Sequence, residues 1–215
     1  MNNPQEQFWN GKHFKQGELE RMNQPSAFVI EAQRYLTPGG LILELGAGTG
    51  ADTHFLLEHG HRVVATDISQ PALDHNFKTA DPKIISKLSI EKMDLSDKFR
   101  FWDESFDGVY SHLALHYFDR TTTQQIFDEI FRVLGKGMVA AVLLNSKTDP
   151  EFESGTKLEE DYFDIPNAGS KRYFSLDSLK PFITKFETII LDDKGSDPRR
   201  KNEGNLIRFI GRRPI

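Results

Sequence analysis

LILELGAGTGADTHFLLEHGHRVVATD, residues 41–67, decides how the rest of the chain is read. Leu41, Ile42, Leu43 and Leu45 form a short apolar run, as expected of a strand buried on both faces of a parallel sheet. Gly46, Gly48 and Gly50 follow and permit backbone angles and close approaches that a Cβ blocks. Asp52 and Thr53 are placed to cap the next helix, whose apolar face is Phe55, Leu56 and Leu57. His59 and Gly60 end that helix, and residues 62–66 form a second β-rich run closing on Asp67. Strand, glycine turn, helix, strand and acid together make the pattern of a nucleotide-binding α/β half. Such a turn is expected to aim free backbone N–H groups at a ligand, while Asp67 accepts from ribose hydroxyls.

Working outward, residues 1–17 are polar with embedded aromatics Phe8, Trp9 and Phe14, and a short helical stretch is expected after them. Pro25 opens a helix to Tyr35 that presents Phe28, Val29, Ala32 and Leu36 on one face. Beyond the central stretch, a helix is expected from Pro71 to about residue 79, a strand over 88–93 and another over 106–111. Residues 121–134 carry Ile126, Phe127, Ile130, Phe131 and Leu134 at helical spacing, and Gly135-Lys136-Gly137 is expected to break that helix before an apolar strand over 138–144. Residues 145–173 are polar, acidic and punctuated by Gly155, Pro166 and Gly169, and read as a long loop inserted over the site. A helix capped at Ser175 or Asp177 then runs to about residue 185. Two strands, 186–191 and 206–210, close the chain as an antiparallel hairpin. The expected architecture is a single α/β domain over residues 1–215, with a doubly wound, seven-stranded, mostly parallel Rossmann-like sheet. Its ligand belongs at the carboxyl ends of the strands, beside the first, where the winding reverses.

Composition bounds the function. The 38% hydrophobic and 27% charged residues are those of an ordinary globular chain. No apolar run reaches the roughly 18 residues a membrane span needs, and the N-terminus lacks the apolar core of a signal peptide, so a cytoplasmic protein is expected. The absence of cysteine excludes disulfides, thiolate metal sites and cysteine nucleophiles. A net charge of −5 argues against a nucleic-acid partner. The basic C-terminal residues Arg199, Arg200, Lys201, Arg208, Arg212 and Arg213 read as solvated surface.

The glycine turn alone leaves the nucleotide open, because GAGTGA satisfies both G-x-G-x-x-A and G-x-G-x-G. Acids around it separate the alternatives. Glu44 lies two residues before Gly46 on a buried strand, where a carboxylate needs a partner such as an amine or sulfonium. Asp94 ends the third strand and faces the same crevice. Three acids repel the pyrophosphate of a dinucleotide and suit S-adenosylmethionine, which carries a sulfonium, an ammonium and no phosphate. An NAD(P)-dependent oxidoreductase is the alternative that the glycine pattern motivates. A non-catalytic S-adenosylmethionine-binding protein is the other, motivated by the lack of an unmistakable catalytic residue.

In LELGAGTG, TDIS (66–69), MDL (93–95), FDGVYSHLALHYF (106–118) and RVLGKG before the fifth strand, the chain resembles the class I S-adenosylmethionine-dependent methyltransferases. The resemblance covers about residues 25–212 and includes the terminal hairpin. SHLALHYF, NSKTDPEF and KRYFS resemble small free-standing members grouped with tellurite-resistance methyltransferases. The resemblance implies that Gly46, Ala47 and Gly48 pack against the methionine portion of S-adenosylmethionine and that Glu44 contacts its amine. It implies that Asp67 binds the ribose, Ile68 covers the adenine, Asp94 accepts from its exocyclic amine and Leu95 receives the ring edge. It also implies that Ser111, after the fourth strand, lies near the methionine end. The segment 1–36 is expected to cover the cofactor and 145–173 to act as the acceptor-side lid. The N-P-P-Y-like turn of DNA and amide-nitrogen methyltransferases is replaced by SHLA, which removes that acceptor class; a small-molecule methyl acceptor is expected, with protein side chains as the alternative. His116 is the candidate general base for a nitrogen or oxygen acceptor. His112 and His116, four apart, would share one helix face, and no metal site is expected from them.

Overall fold

The computed structural model describes residues 4–12, 24–198 and 205–215. The helical stretch expected after residue 17, His13, Phe14, and Arg199 to Lys201 lie outside the described residues.

The centre of the molecule is the apolar run that opened the sequence. β1 (Leu41–Leu45) pairs in parallel with β2 (Arg62–Asp67) on one side and β4 (Phe106–His112) on the other. With β3 (Leu88–Lys92), β5 (Leu134–Asn145), β9 (Glu187–Gly195) and β10 (Leu206–Arg212), these strands form a seven-stranded sheet in the order β3-β2-β1-β4-β5-β10-β9. β10 runs antiparallel to both β5 and β9, so the closing hairpin and the reversal of winding beside β1 are as the sequence reading expected.

Strand alternation assigns each residue of β1 to a layer. Leu43 and Leu45 join one core with Ile126, Phe127 and Ile130 of α5 (Arg120–Val133). Ile42 faces the opposite core, with Phe28 and Val29 of α2 (Ala27–Ala32) and Leu56 and Leu57 of α3 (Ala51–Glu58). Glu44 alternates with them, so a carboxylate is forced into the layer that α3 covers. α4 (Gln70–Thr79) follows β2 and takes Ser69 as its N-cap, the hydroxyl accepting from the amide of Ala72.

Several elements depart from the sequence reading. Gly135-Lys136-Gly137 does not separate α5 from its strand: β5 begins at Leu134, and the glycines are absorbed as a register jump from Phe106–Leu134 to Gly108–Val139. Arg213 explains why this end is stable. One of its guanidinium nitrogens donates to the carbonyls of Phe131, Arg132 and Leu134, which a helix terminus otherwise leaves unsatisfied. Arg208 bonds Asp192 across the hairpin and Glu31 on α2. These two arginines are structural ties rather than the solvated surface their composition suggested. The helix expected to reach residue 185 is only α6 (Leu176–Leu179), continued as a 3-10 turn (Lys180–Ile183) where Pro181 cannot donate.

The insertion read as a loop is a second sheet. β6 (Thr156–Glu159), β7 (Tyr162–Ile165) and β8 (Gly169–Arg172) form an antiparallel meander. Its inner face, Phe163 and Ile165, packs with Tyr173 into a separate apolar cluster that Phe152 joins. Lys147 pairs with Asp161, and Arg172 donates to the carbonyls of Phe118 and Glu160, which ties the sheet to the segment after β4. Among the described residues no helix is long and apolar enough to cross a membrane.

Candidate functional site

The carboxyl ends of β1, β2, β3 and β4 open onto a cavity of about 570 Å³. Its floor is the glycine turn. Gly46 has φ +75°, and a Cβ there would lie 2.2 Å from that of Ala114; Gly50 has φ +97° and would meet Asn76 at 2.2 Å. Both positions therefore exclude any side chain, for conformational and steric reasons together.

Four of the amides of this turn are engaged within the protein. Those of Gly46 and Ala47 both donate to the carbonyl of Thr66, and that of Gly50 to the carbonyl of Ala47. The amide of Gly48 donates to Asp67 Oδ2 at 2.9 Å. For these four positions this corrects the expectation of free N–H groups. A pyrophosphate docks on outward-pointing amides at such a turn, and these four are committed within the protein.

Carboxylates take the amides' place. Glu44, 3% exposed, lines the cavity and accepts from the Thr53 hydroxyl at 2.5 Å. Its pKa is raised well above the usual carboxylate range, first by burial and then by the charge of Asp52, with Asp67 adding and the Thr53 bond opposing. Asp67 lines the cavity from the end of β2, its second oxygen accepting from the amide of Ser69. It does not cap α4, since Ser69 does. Ile68, Asp94 and Leu95 line the same wall, with Asp94 held by the amide and hydroxyl of Ser96.

Two placements differ from the sequence reading. Asp52 and Thr53 cap nothing: Gly50 is the N-cap of α3 and makes no side-chain cap bond. Asp52 instead accepts from the amide and hydroxyl of Ser26 and from the hydroxyl of Tyr110, and joins Glu44 at the cavity wall. Ser111 is fully buried and its hydroxyl donates to the carbonyl of Leu45, so it packs between strands while His112, Leu113 and Ala114 line the cavity.

The roof comes from both flanks. Helix α1 (Pro4–Lys12) contributes Gln5, Trp9 and Lys12 to the lining, and Trp9 packs edge-on against Tyr117, ring centroids 4.9 Å apart. Asn10 accepts from Ser69 and Glu6 pairs with Lys92, which fastens α1 across the ends of β2 and β3. From the other side come Asn145, Glu151, Lys171 and Asp197. Lys171 and Glu151 form an ion pair at 2.5 Å, with the lysine side chain 8% exposed. His116 also lines the cavity and is almost fully buried, its carbonyl accepting from the amide of Arg172. His112 and His116 do not share a helix face: His112 ends β4 and His116 stands in the turn that follows. Asp52, Lys171 and Asp197 carried no sequence signal that assigned them here. His112 was considered only with His116, and its neighbour Asp197 lies 85 positions away in the chain.

A family model described as a methyltransferase domain matches residues 42–137. Over 150 residues the chain is 27% identical to a biotin biosynthesis bifunctional protein of Teredinibacter turnerae, a match covering 66% of this chain and 25% of that protein. Over 108 residues it is 30% identical to an uncharacterized methyltransferase of Synechocystis, covering 50% of this chain and 48% of the relative. The chain thus spans a quarter to about half the length of these curated relatives. A solved S-adenosylmethionine-dependent methyltransferase of Methanosarcina mazei superposes with a TM-score of 0.72 at 21% identity, over 86% of this chain and 97% of that one.

Proposed function

We propose that this chain, whose residues 42–137 match the methyltransferase-domain model and whose fold is that of S-adenosylmethionine-dependent methyltransferases, moves the methyl group of S-adenosylmethionine to a small-molecule acceptor in one in-line displacement. One observation carries the reading. The floor of the cavity offers carboxylates and amides engaged within the protein, an environment for a cation and not for a pyrophosphate.

The residues present fit the donor. Glu44 is a buried carboxylate at the edge of the cradle and would hold the methionine amine. Asp67 would accept from the ribose hydroxyls while keeping Gly48 and Ser69 in place. Ile68 and Leu95 would enclose the adenine and Asp94 would accept from its amine. Gly46, where a Cβ has no room, lets the methionine portion lie against backbone. When bound, S-adenosylmethionine supplies a methyl electrophile on a positively charged sulfur.

What the protein adds is placement and dryness. The sulfonium's charge is dispersed in the transition state, so water stabilises the reactants more than the transition state, and a closed pocket favours the reaction. Trp9 with Tyr117 on one side and the small sheet on the other would provide that closure, with α1 acting as the cofactor cover and residues 145–173 as the acceptor-side lid. Aligning two reactants contributes on the order of 7 to 11 kcal/mol at its upper limit. A cavity roofed from both flanks suits a small molecule better than a polypeptide. The test is methyl transfer from labelled donor to a panel of small acceptors and, separately, to unfolded protein. Label confined to protein would overturn the small-molecule reading.

Glu44 gives a prediction with a definite sign. Its folded pKa lies above the ordinary value of 4.5, so the folded chain holds a proton that the unfolded chain releases. Its contribution to stability is therefore present below about pH 4.5 and is lost as pH rises through its raised folded value. Glu44→Gln removes that loss. The melting temperature of the ligand-free protein near neutral pH should rise by about 2 to 4 °C for each ~1 kcal/mol recovered. Donor affinity should move oppositely, falling about tenfold in the variant, because a cation is bound best by the ionised carboxylate. Scanning calorimetry between about pH 5 and about pH 8, with and without donor, reads both effects.

A further inference from the structure

We propose that His112, held by Asp197, removes the proton of the methyl acceptor, and that the acceptor is therefore a protic nucleophile, a hydroxyl or N–H compound, lodged at the polar end of the cavity. The proposal rests on the methyltransferase reading above.

Position comes first. Ser111 pairs with Leu45 across the β1–β4 ladder, so His112 stands level with Gly46, at the edge of the donor cradle and not remote from it. The backbone beyond it is fixed: the amide of Leu113 donates to the carbonyl of Leu143. Leu113 has φ +54°, a left-handed conformation that is unfavourable for a leucine. Such strain is kept where surrounding structure over-determines it, commonly at a site.

Chemistry comes second. His112 Nε2 lies 3.4 Å from Asp197 Oδ2, with the two side chains 13% and 4% exposed, and both residues line the cavity. A base oriented by a carboxylate keeps its tautomer, and the carboxylate favours the imidazolium once the proton arrives. The other ionisable groups lining this space are Lys12 from α1, Glu44 from β1, Asp52 from α3, Asp67 from β2, Asp94 after β3, His116 and Tyr117 from the turn after β4, Glu151 from the segment after β5 and Lys171 from β8. Lys171 is already engaged by Glu151 in an ion pair. The acceptor atom's lone pair forms the bond to the methyl carbon, and the carbon–sulfur pair remains on sulfur. The acceptor's proton passes to His112 and from there to solvent. An acceptor that arrives as an anion, such as a halide or a chalcogen anion, would leave the pair with nothing to do.

Two measurements test this. In protein labelled with nitrogen-15 histidine, the His112 ring resonance, assigned by its loss in His112→Gln, should shift when S-adenosylhomocysteine binds; an unmoved resonance would overturn the placement. With labelled donor and a panel of phenols, alcohols and N–H heteroaromatics, and iodide as the proton-less acceptor, at least one protic compound should be methylated. His112→Gln and His112→Asn should slow that reaction by about 100- to 10,000-fold while binding S-adenosylhomocysteine within threefold of wild type, whereas His116→Gln should cost less than tenfold. In Asp197→Asn the rising limb of kcat against pH should move to lower pH as the plateau falls. Turnover of iodide alone, no protic turnover by a protein that binds S-adenosylhomocysteine, or His112 variants as fast as wild type would overturn the proposal. A wild type that binds no S-adenosylhomocysteine would instead remove the methyltransferase reading beneath it.

Discussion

Asp67→Ala is expected to raise the Kd for S-adenosylhomocysteine by about 100-fold while leaving the protein folded. The side chain accepts from the amides of Gly48 and Ser69, both at 2.9 Å, and so links the glycine turn to the start of α4. Hydrogen bonds to a charged group contribute roughly 1.5 to 3 kcal/mol each. Losing the ribose contact and the pinning of the turn together should cost binding about 3 kcal/mol, or about two factors of ten. Asp67→Asn keeps an acceptor oxygen and should lose only about tenfold. Titration calorimetry of the three proteins, with circular dichroism melts to show that they are folded, reads the series. An alanine variant that binds as wild type does would mean that the ligand lies elsewhere.

Gly46→Ala should act on the fold and the site together. The new Cβ would stand 2.2 Å from that of Ala114 on a residue with φ +75°. The left-handed conformation costs about 1 to 2 kcal/mol, and overpacking a further 1 to 3 or so. The sum, roughly 2 to 5 kcal/mol, corresponds to a melting temperature lower by about 5 to 15 °C in a chain of this size. Methyl transfer should fall further than stability does, because Ala114 lies between His112 and His116 and any displacement spreads to both. The double variant Gly46→Ala with Ala114→Gly removes the clash but keeps the conformational cost, so it should recover about half of the lost stability. Equal stability of the single and double variants would show that the contact is not what excludes a side chain at Gly46.

What could be read in advance divides by the range of the interactions involved. β1, β2 and the glycine turn were legible because their signals are local: an apolar run, glycines at fixed spacing, an acid on the next strand. α5 was legible from Ile126, Phe127 and Ile130 alone. The small sheet was not, because its strands are four residues long and include polar runs such as GSKR, in which packing on Tyr173 is invisible. Asp52 was read as a helix cap, since an acid after glycine fits that pattern. Its actual partners, Ser26 and Tyr110, are 26 and 58 positions away. The direction of the turn's amides was also out of reach, because the carbonyl of Thr66 that takes two of them belongs to the neighbouring strand. Arg213 looked like a basic tail for a similar reason: the helix carbonyls it caps lie some eighty residues earlier.

The central claim is that the crevice beside β1 holds a cationic sulfonium nucleoside and not a dinucleotide. Titration calorimetry of the wild-type protein against S-adenosylhomocysteine and, separately, NADH tests it most directly. Saturable binding of S-adenosylhomocysteine at one site per chain, weakened about 100-fold in Asp67→Ala, and no heat from NADH are expected. Saturable binding of NADH with none of S-adenosylhomocysteine would contradict it.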